Sequence, residues 1–184
     1  KLDMSIERLG LGRDDALDVL DIGCGWGSMA RHIAERTRCR VHGVTISPQQ
    51  AAFCRAKWPE DSGPFANRLT LAEVDYLALN ESSAYDRIIS IGMLEHVGKH
   101  DLVAFFRKLA ALLRPEGRAL VHFITRQRPG KTNAWIDANI FPGGYIPLLS
   151  EVLSAVERSG LRHRAVHLHP GDDYYRTLQQ WIGN

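Results

Sequence analysis

Five short apolar runs alternate with amphipathic stretches along this chain, and that alternation decides its class of fold. ALDVLDI (Ala16 to Ile22), CRVHGVTI (Cys39 to Ile46), RLTLAEV (Arg68 to Val74), YDRIISI (Tyr85 to Ile91) and GRALVHFIT (Gly117 to Thr125) are β-branched-rich and bounded by turn formers. Buried parallel strands have that character. Between them, SMARHIAERTR follows a run of glycines, a segment capped at Ser47-Pro48 runs to Lys57, and DLVAFFRKLAALLR starts at Asp101 and stops by Pro115 and Gly117. Strand, helix and strand repeated in this way call for right-handed crossovers. The expected fold is α/β, a doubly wound, mostly parallel sheet with helices on both faces. The short interval between Asp75 and Tyr85 leaves room for a loop or a single turn. Residues 126–147, rich in Gly, Pro, Asn and Arg, are too long for an ordinary connection and read as a functional loop or lid. A helix is expected over Leu148 to Ser159, followed by a strand-like LRHRAVHLH.

Size and charge narrow the field. The chain has 184 residues, 45% hydrophobic and 24% charged, which suits one domain over 1–184 with room for a core. Its 23 basic and 21 acidic side chains leave a formal charge of +2, so no polycationic field points to nucleic acid. Cys24, Cys39 and Cys54 form no C-x-x-C pair and are odd in number, which argues for a reducing, cytoplasmic setting. No apolar run approaches the roughly 18 to 20 residues of a membrane span. Membrane contact is therefore expected to be peripheral.

VLDIGCGWGSMARHIAE (Val19 to Glu35) sets Gly23, Gly25 and Gly27 between a strand ending at Asp21 and a helix. Bare backbone and a helix N-terminus thus face whatever sits at the strand's carboxyl end. A dinucleotide site needs G-x-G-x-x-G and an acidic residue at the end of the second strand. This chain has D-x-G-x-G-x-G instead, and its second strand ends in Thr45-Ile46. It also lacks the G-x-x-x-x-G-K-[ST] phosphate cradle. The pattern resembles motif I of class I S-adenosylmethionine methyltransferases, whose ligand lays an amino-acid moiety over the glycines.

Six ordered segments make the resemblance more specific. VLDIGCGWG, GVTISPQQ, SIGMLEHVGKH, ALVHFIT, IFPGGYIP and YYRTLQQW together resemble the cyclopropane-fatty-acid synthase and mycolic-acid methyltransferase family. That resemblance implies a Rossmann-like class I methyltransferase fold in three αβα layers, with S-adenosylmethionine as cofactor. It implies that Thr45, Ile46 and Gln50 join Asp21, Gly23, Gly25 and Gly27 in holding the cofactor, and that Asp75 and Tyr76 border the adenine. The implied activity is transfer of a methylene or methyl group to the cis double bond of an unsaturated acyl chain of a phospholipid. The alternatives are a relative that methylates an amine or other small nucleophile, and a noncatalytic cofactor-binding remnant.

Alkene chemistry sets its own demands. A double bond that attacks a sulfonium methyl leaves a carbocation, and ring closure needs a base for the proton lost from the new methyl group. The resemblance implies a bound bicarbonate, held by Glu95, His122, the backbone of Ile124, Tyr174 and a cysteine upstream of Lys1. Buried imidazole and carboxylate are tolerated only with partners. Phe141, Tyr145 and Trp135 in the long loop are candidates to line a lipid channel or to face the cation. His96 reads as a structural hydrogen-bonding residue, His167 and His169 as solvated, and no metal is expected. The aspartates of GDDYYRTLQQW stand where the family often has a histidine before the tyrosine. The family pattern also implies a last antiparallel strand after WIGN, so the chain is expected to be truncated at both ends. The expected partner is phospholipid at the inner membrane surface, with no nucleic acid and with a homodimer left open.

Overall fold

A computed structural model describes residues 1–80, 82–130, 134–139, 143–169 and 171–182, with Ile136, Asp137, Tyr174 and Trp181 described as backbone alone. Five parallel strands form one sheet in the order β3-β2-β1-β4-β5. They are β1 (Asp18–Ile22), β2 (Arg40–Thr45), β3 (Leu69–Glu73), β4 (Tyr85–Ile91) and β5 (Leu113–His122). Helices α1 (Leu2–Leu9), α2 (Ser28–Arg36), α3 (Pro48–Lys57), α4 (Leu102–Leu112), α5 (Ala134–Asn139), α6 (Leu149–Arg158) and α7 (Gly171–Ile182) accompany them. The short third crossover holds a single 3-10 turn, Tyr76–Ala78.

Both faces of the sheet are covered, because strand side chains alternate between them. Leu20, Ile22 and Ile88 pack with Phe105 and Leu109 of α4 and Val152 of α6. Val19, Val41 and Ile89 pack on the other face with Ile6 and Leu9 of α1, Ile33 of α2 and Cys54 of α3. Sequence periodicity did not single out α1, although Ile6 and Leu9 are one turn apart and its left-handed C-cap, Gly10, is a standard stop signal.

Two expectations need correction. Pro115 and Gly117 do not end α4, which stops at Leu112. They lie within β5, where Tyr85 pairs with Leu113 but Arg87 pairs with Arg118, so the ladder is interrupted between them. Proline has no amide to donate and is tolerated at such a bulge. Arg114 projects from it and donates to Asp86 Oδ2 at 2.6 Å and to Asp18 Oδ2 at 3.0 Å. Second, LRHRAVHLH forms no strand; residues 161–169 carry no regular structure. Val166 and Leu168 are exposed there, so the alternating pattern buries no apolar face that would hold the segment against the sheet. No helix among the described residues is long and apolar enough to cross a membrane.

Candidate functional site

Crossovers leave the sheet in opposite directions from β1 and β4, and open α/β folds bind ligands at that switch point, beyond the carboxyl ends of the strands. The loop after β1 is anchored below, with Gly23 and Cys24 amides both donating to Val44 O on β2. Its three glycines are bare for different reasons. A Cβ on Gly23 would stand 2.8 Å from Met93 Cγ, a residue of the loop after β4. On Gly27 it would meet Trp58 Cζ3 at 2.9 Å and Leu71 Cδ1 at 3.0 Å. Gly25 has φ of +58° and would meet nothing within 4 Å, as would Gly92 at the end of β4. Gly23 and Gly27 therefore serve packing, whereas Gly25 presents bare backbone to open space.

Asp21 lies beneath this turn, 2% exposed, and its Oδ2 has no hydrogen-bond partner among the described residues. Burial pushes its carboxyl up to about 7, against the pull of the Ala30 amide. A folded-state value above the ordinary 3.8 means that ionisation opposes folding. Stability is full below about pH 4 and declines as pH rises toward 7. Replacing Asp21 with Asn should remove that slope, worth up to about 1.4 kcal/mol per pH unit. Urea melts of both proteins across this window would show it, and parallel curves would contradict it.

At the tip of β2, Thr45 donates to Gln50 Oε1 at 2.7 Å and accepts from the Ser47 amide at 3.2 Å. Ser47 in turn caps α3 by accepting from the Gln50 amide. Thr45 is buried while Ile46 beside it is 76% exposed. Asp75 Oδ1 accepts from the Leu77 amide at 2.9 Å, and Tyr76 sets its ring edge-on to Phe105. Burial raises the Tyr76 phenol.

The second group of residues gathers after β4 and β5. Glu95 sits on a 3-10 turn, Leu94–His96, and is 1% exposed; it is not a carboxylate facing water. Its Oε1 accepts from the Ile124 amide at 2.6 Å, and its Oε2 is buried without a partner among the described residues. The same is true of His122 Nδ1. Burial, with the positive charges of Lys1 and Arg8 nearby, holds the His122 imidazole below its ordinary value. A neutral ring keeps one lone pair for accepting a proton. The Gly92 amide donates to His122 O at 2.9 Å, which ties the two strand ends together.

The structure brings Glu95 and Ile124 into direct contact, with His122 on the same strand end. Tyr174 falls on the backbone of α7, and its side chain lies outside the described residues, as does all of Phe141. Trp135, on α5, is 64% exposed. Tyr145 departs from the expected cation-facing role: the Arg126 guanidinium lies 4.9 Å from its ring centroid and Lys99 Nζ lies 5.8 Å away. His169 lies off any strand face, with its ring 5.9 Å from that of His122 and its Nε2 3.2 Å from Arg8 Nη1. The motifs did not point to Met93, Arg126 or Glu151. Only Glu151 carried a local signal, an acidic residue in the first turn of a helix.

Comparison with known proteins gives a consistent set. A family model described as mycolic acid cyclopropane synthetase matches residues 1–184. A probable fatty acid methyltransferase from Pseudomonas putida is 32% identical over 193 residues, covering 100% of this chain and 47% of that protein. A cyclopropane-fatty-acyl-phospholipid synthase from Escherichia coli K12 is 34% identical, covering 98% of this chain and 44% of that one. The chain thus spans less than half the length of these two curated relatives. Among solved structures, the apo-form of mycolic acid cyclopropane synthase CmaA1 superposes with a TM-score of 0.76 at 28% identity, over 98% of this chain and 69% of that one. The cyclopropane synthase MmaA2 from Mycobacterium tuberculosis gives 0.74 at 30% identity, over 86% and 59%.

Proposed function

Because the chain belongs to the mycolic acid cyclopropane synthetase family, we propose that it transfers a methylene or methyl group from S-adenosylmethionine to the cis double bond of an unsaturated phospholipid acyl chain. The observation that carries this reading is the buried Glu95 carboxylate, held by the Ile124 amide and left with one unpartnered oxygen among the described residues. It lies on the loop after β4, the loop whose Met93 packs on the cofactor-type turn at Gly23. A relative carrying the name cyclopropane-fatty-acyl-phospholipid synthase supports the substrate class.

In this reading Gly25 lets the cofactor approach the backbone, and the buried Asp21 carboxyl, raised to about 7, is a group whose charged form a cationic ligand would stabilise. The Thr45–Gln50 pair presents a preassembled polar edge in place of a ribose carboxylate, with Ile46, Asp75 and Tyr76 beside it. Glu95 Oε2 and His122 Nδ1 are orphaned polar atoms of the kind that an acid carbonate ion would satisfy, together with Tyr174, while the Ile124 amide, which donates to Glu95 Oε1, contributes by holding that carboxylate. When bound, that ion supplies the base for ring closure. Neutral His122 accepts or donates a proton at Nδ1, and Glu95 fixes the polarity of the pocket. Peripheral contact with a membrane surface belongs to the same reading, since the acyl chain resides in a bilayer.

Calorimetric titration with S-adenosylhomocysteine tests the cofactor half, and absence of binding by folded protein would remove it. Thr45→Val should weaken that binding about fivefold, because Gln50 loses its buried donor, a change of roughly 1 kcal/mol. An unchanged dissociation constant would exclude Thr45 from the site. The chemistry is tested by incubating the full-length protein with unsaturated phospholipid vesicles and reading the lipid mass for a gain of one methylene.

A further inference from the structure

Glu151, in the first turn of α6, makes contacts on three sides. Its Oε2 accepts from the Tyr145 hydroxyl at 2.5 Å and from the Leu148 amide at 2.9 Å. Its Oε1 pairs with Lys99 Nζ at 2.9 Å. Both partners lead back to Glu95. The Tyr145 amide donates to the Glu95 carbonyl at 2.8 Å, and Lys99 opens the 3-10 turn that follows the Glu95 turn. The two ends of the long loop are also joined, since the Arg126 amide and the Thr125 hydroxyl both donate to Pro147 O, at 3.2 and 2.9 Å. Arg126 meanwhile covers the Tyr145 ring.

We propose that Glu151 is a positioning residue for Glu95, holding the Tyr145 end of the 126–147 loop against the turn that carries that carboxylate. A partly exposed ion pair with Lys99 would by itself be worth little. The additional hydrogen bonds from Tyr145 and Leu148 give the junction one geometry. Burial alone would raise the Glu151 carboxyl, yet Tyr145, Leu148 and Lys99 outweigh it and leave it at about 2, so the clamp stays charged throughout the neutral range. The Glu95 turn is therefore held twice, by Ile124 at its side chain and by Tyr145 at its backbone. A reacting group displaced by an ångström loses much of its rate. The described ends of the 126–147 loop thereby share an anchor with the proposed base site.

The catalytic consequence rests on Glu95 acting as proposed above, whereas the mechanical coupling does not. Amide hydrogen exchange on the full-length protein separates the two. In Glu151→Gln, which keeps the side chain's volume, and in Glu151→Ala, the Tyr145 amide should exchange about tenfold faster. S-adenosylhomocysteine affinity should stay within about twofold. With dioleoyl phospholipid vesicles, kcat should fall roughly tenfold while KM changes little. Combined with Glu95→Gln, the Glu151 change should cause no further loss, because it acts through that carboxylate. Unchanged Tyr145 exchange in both variants would overturn the coupling, whatever turnover does. A fully additive loss in the double variant would overturn positioning through Glu95. If Glu95→Gln alone retained full activity, the base-site reading would fail, and the exchange result would still decide the clamp.

Discussion

Glu95→Gln is expected to fold, to bind S-adenosylhomocysteine as the native protein does, and to lose about two to four orders of magnitude in transfer to an unsaturated acyl chain. The physical reason lies in the two oxygens. Oε1 already accepts from the Ile124 amide, and a glutamine carbonyl can take over that bond. Oε2 is buried and unpartnered among the described residues, and glutamine would put an N–H there, a donor in place of an acceptor. A site built to hold an anion and a proton together is thereby inverted without a change of volume. His122→Ala should give a loss of similar order, since it removes the neutral imidazole at the end of β5. The assay is single-turnover methylene incorporation measured by lipid mass. Native rates in both variants would defeat the proposed base site, and lost cofactor binding would show that the variants report folding instead.

The glycine turn yields a second large effect, divided between two neighbours. Gly27→Val should destabilise the fold severely, by about 2 to 5 kcal/mol. Its backbone has φ of +75°, where a β-branched residue is a severe outlier. The added atoms would also enter a space already closed by Trp58, Leu71 and Cys54 Sγ. Left-handed strain of about 1 to 2 kcal/mol and overpacking of about 1 to 3 kcal/mol combine against a domain stabilised by only about 5 to 15 kcal/mol. Gly25→Ala should behave differently. It carries a similar backbone strain, but no atom lies in the way of its Cβ, so the fold should survive. The methyl group would occupy the space left for a ligand, and cofactor affinity should drop about a hundredfold. Urea melts and calorimetric titration distinguish the two outcomes. Equal stability for Gly27→Val and Gly25→Ala would refute the division of labour.

Much of this arrangement is local enough to read from residue order. β1, β2, β3 and β4 fall inside the expected apolar runs, because buried parallel strands advertise themselves by composition. The Ser47-Pro48 start of α3 is a capping signal contained in a few residues, and it holds. Signals that span few residues misled where the surroundings intervened. Pro115 and Gly117 have the chemistry of a helix stop, yet α4 ends three residues before the proline and the pair serves a bulge in β5. LRHRAVHLH has a strand's alternation, yet residues 161–169 do not join the sheet, whose order ends at β5. Helix α1 went unread because its eight residues give only two turns of periodicity.

Residue order therefore settled the parallel sheet and the glycine turn and singled out candidate positions after β1, β2, β4 and β5, since period, turn chemistry and motif spacing act over a few residues. It could not say that Glu95 would be buried with one oxygen held and one orphaned, because its partner amide is 29 residues away. Nor could it say that Arg126 and Lys99 would take the Tyr145 ring, or that Glu151 would bind the loop to the Glu95 turn. Burial and pairing of charge depend on which distant segments the sheet brings together, and that juxtaposition arises only when the crossovers are folded.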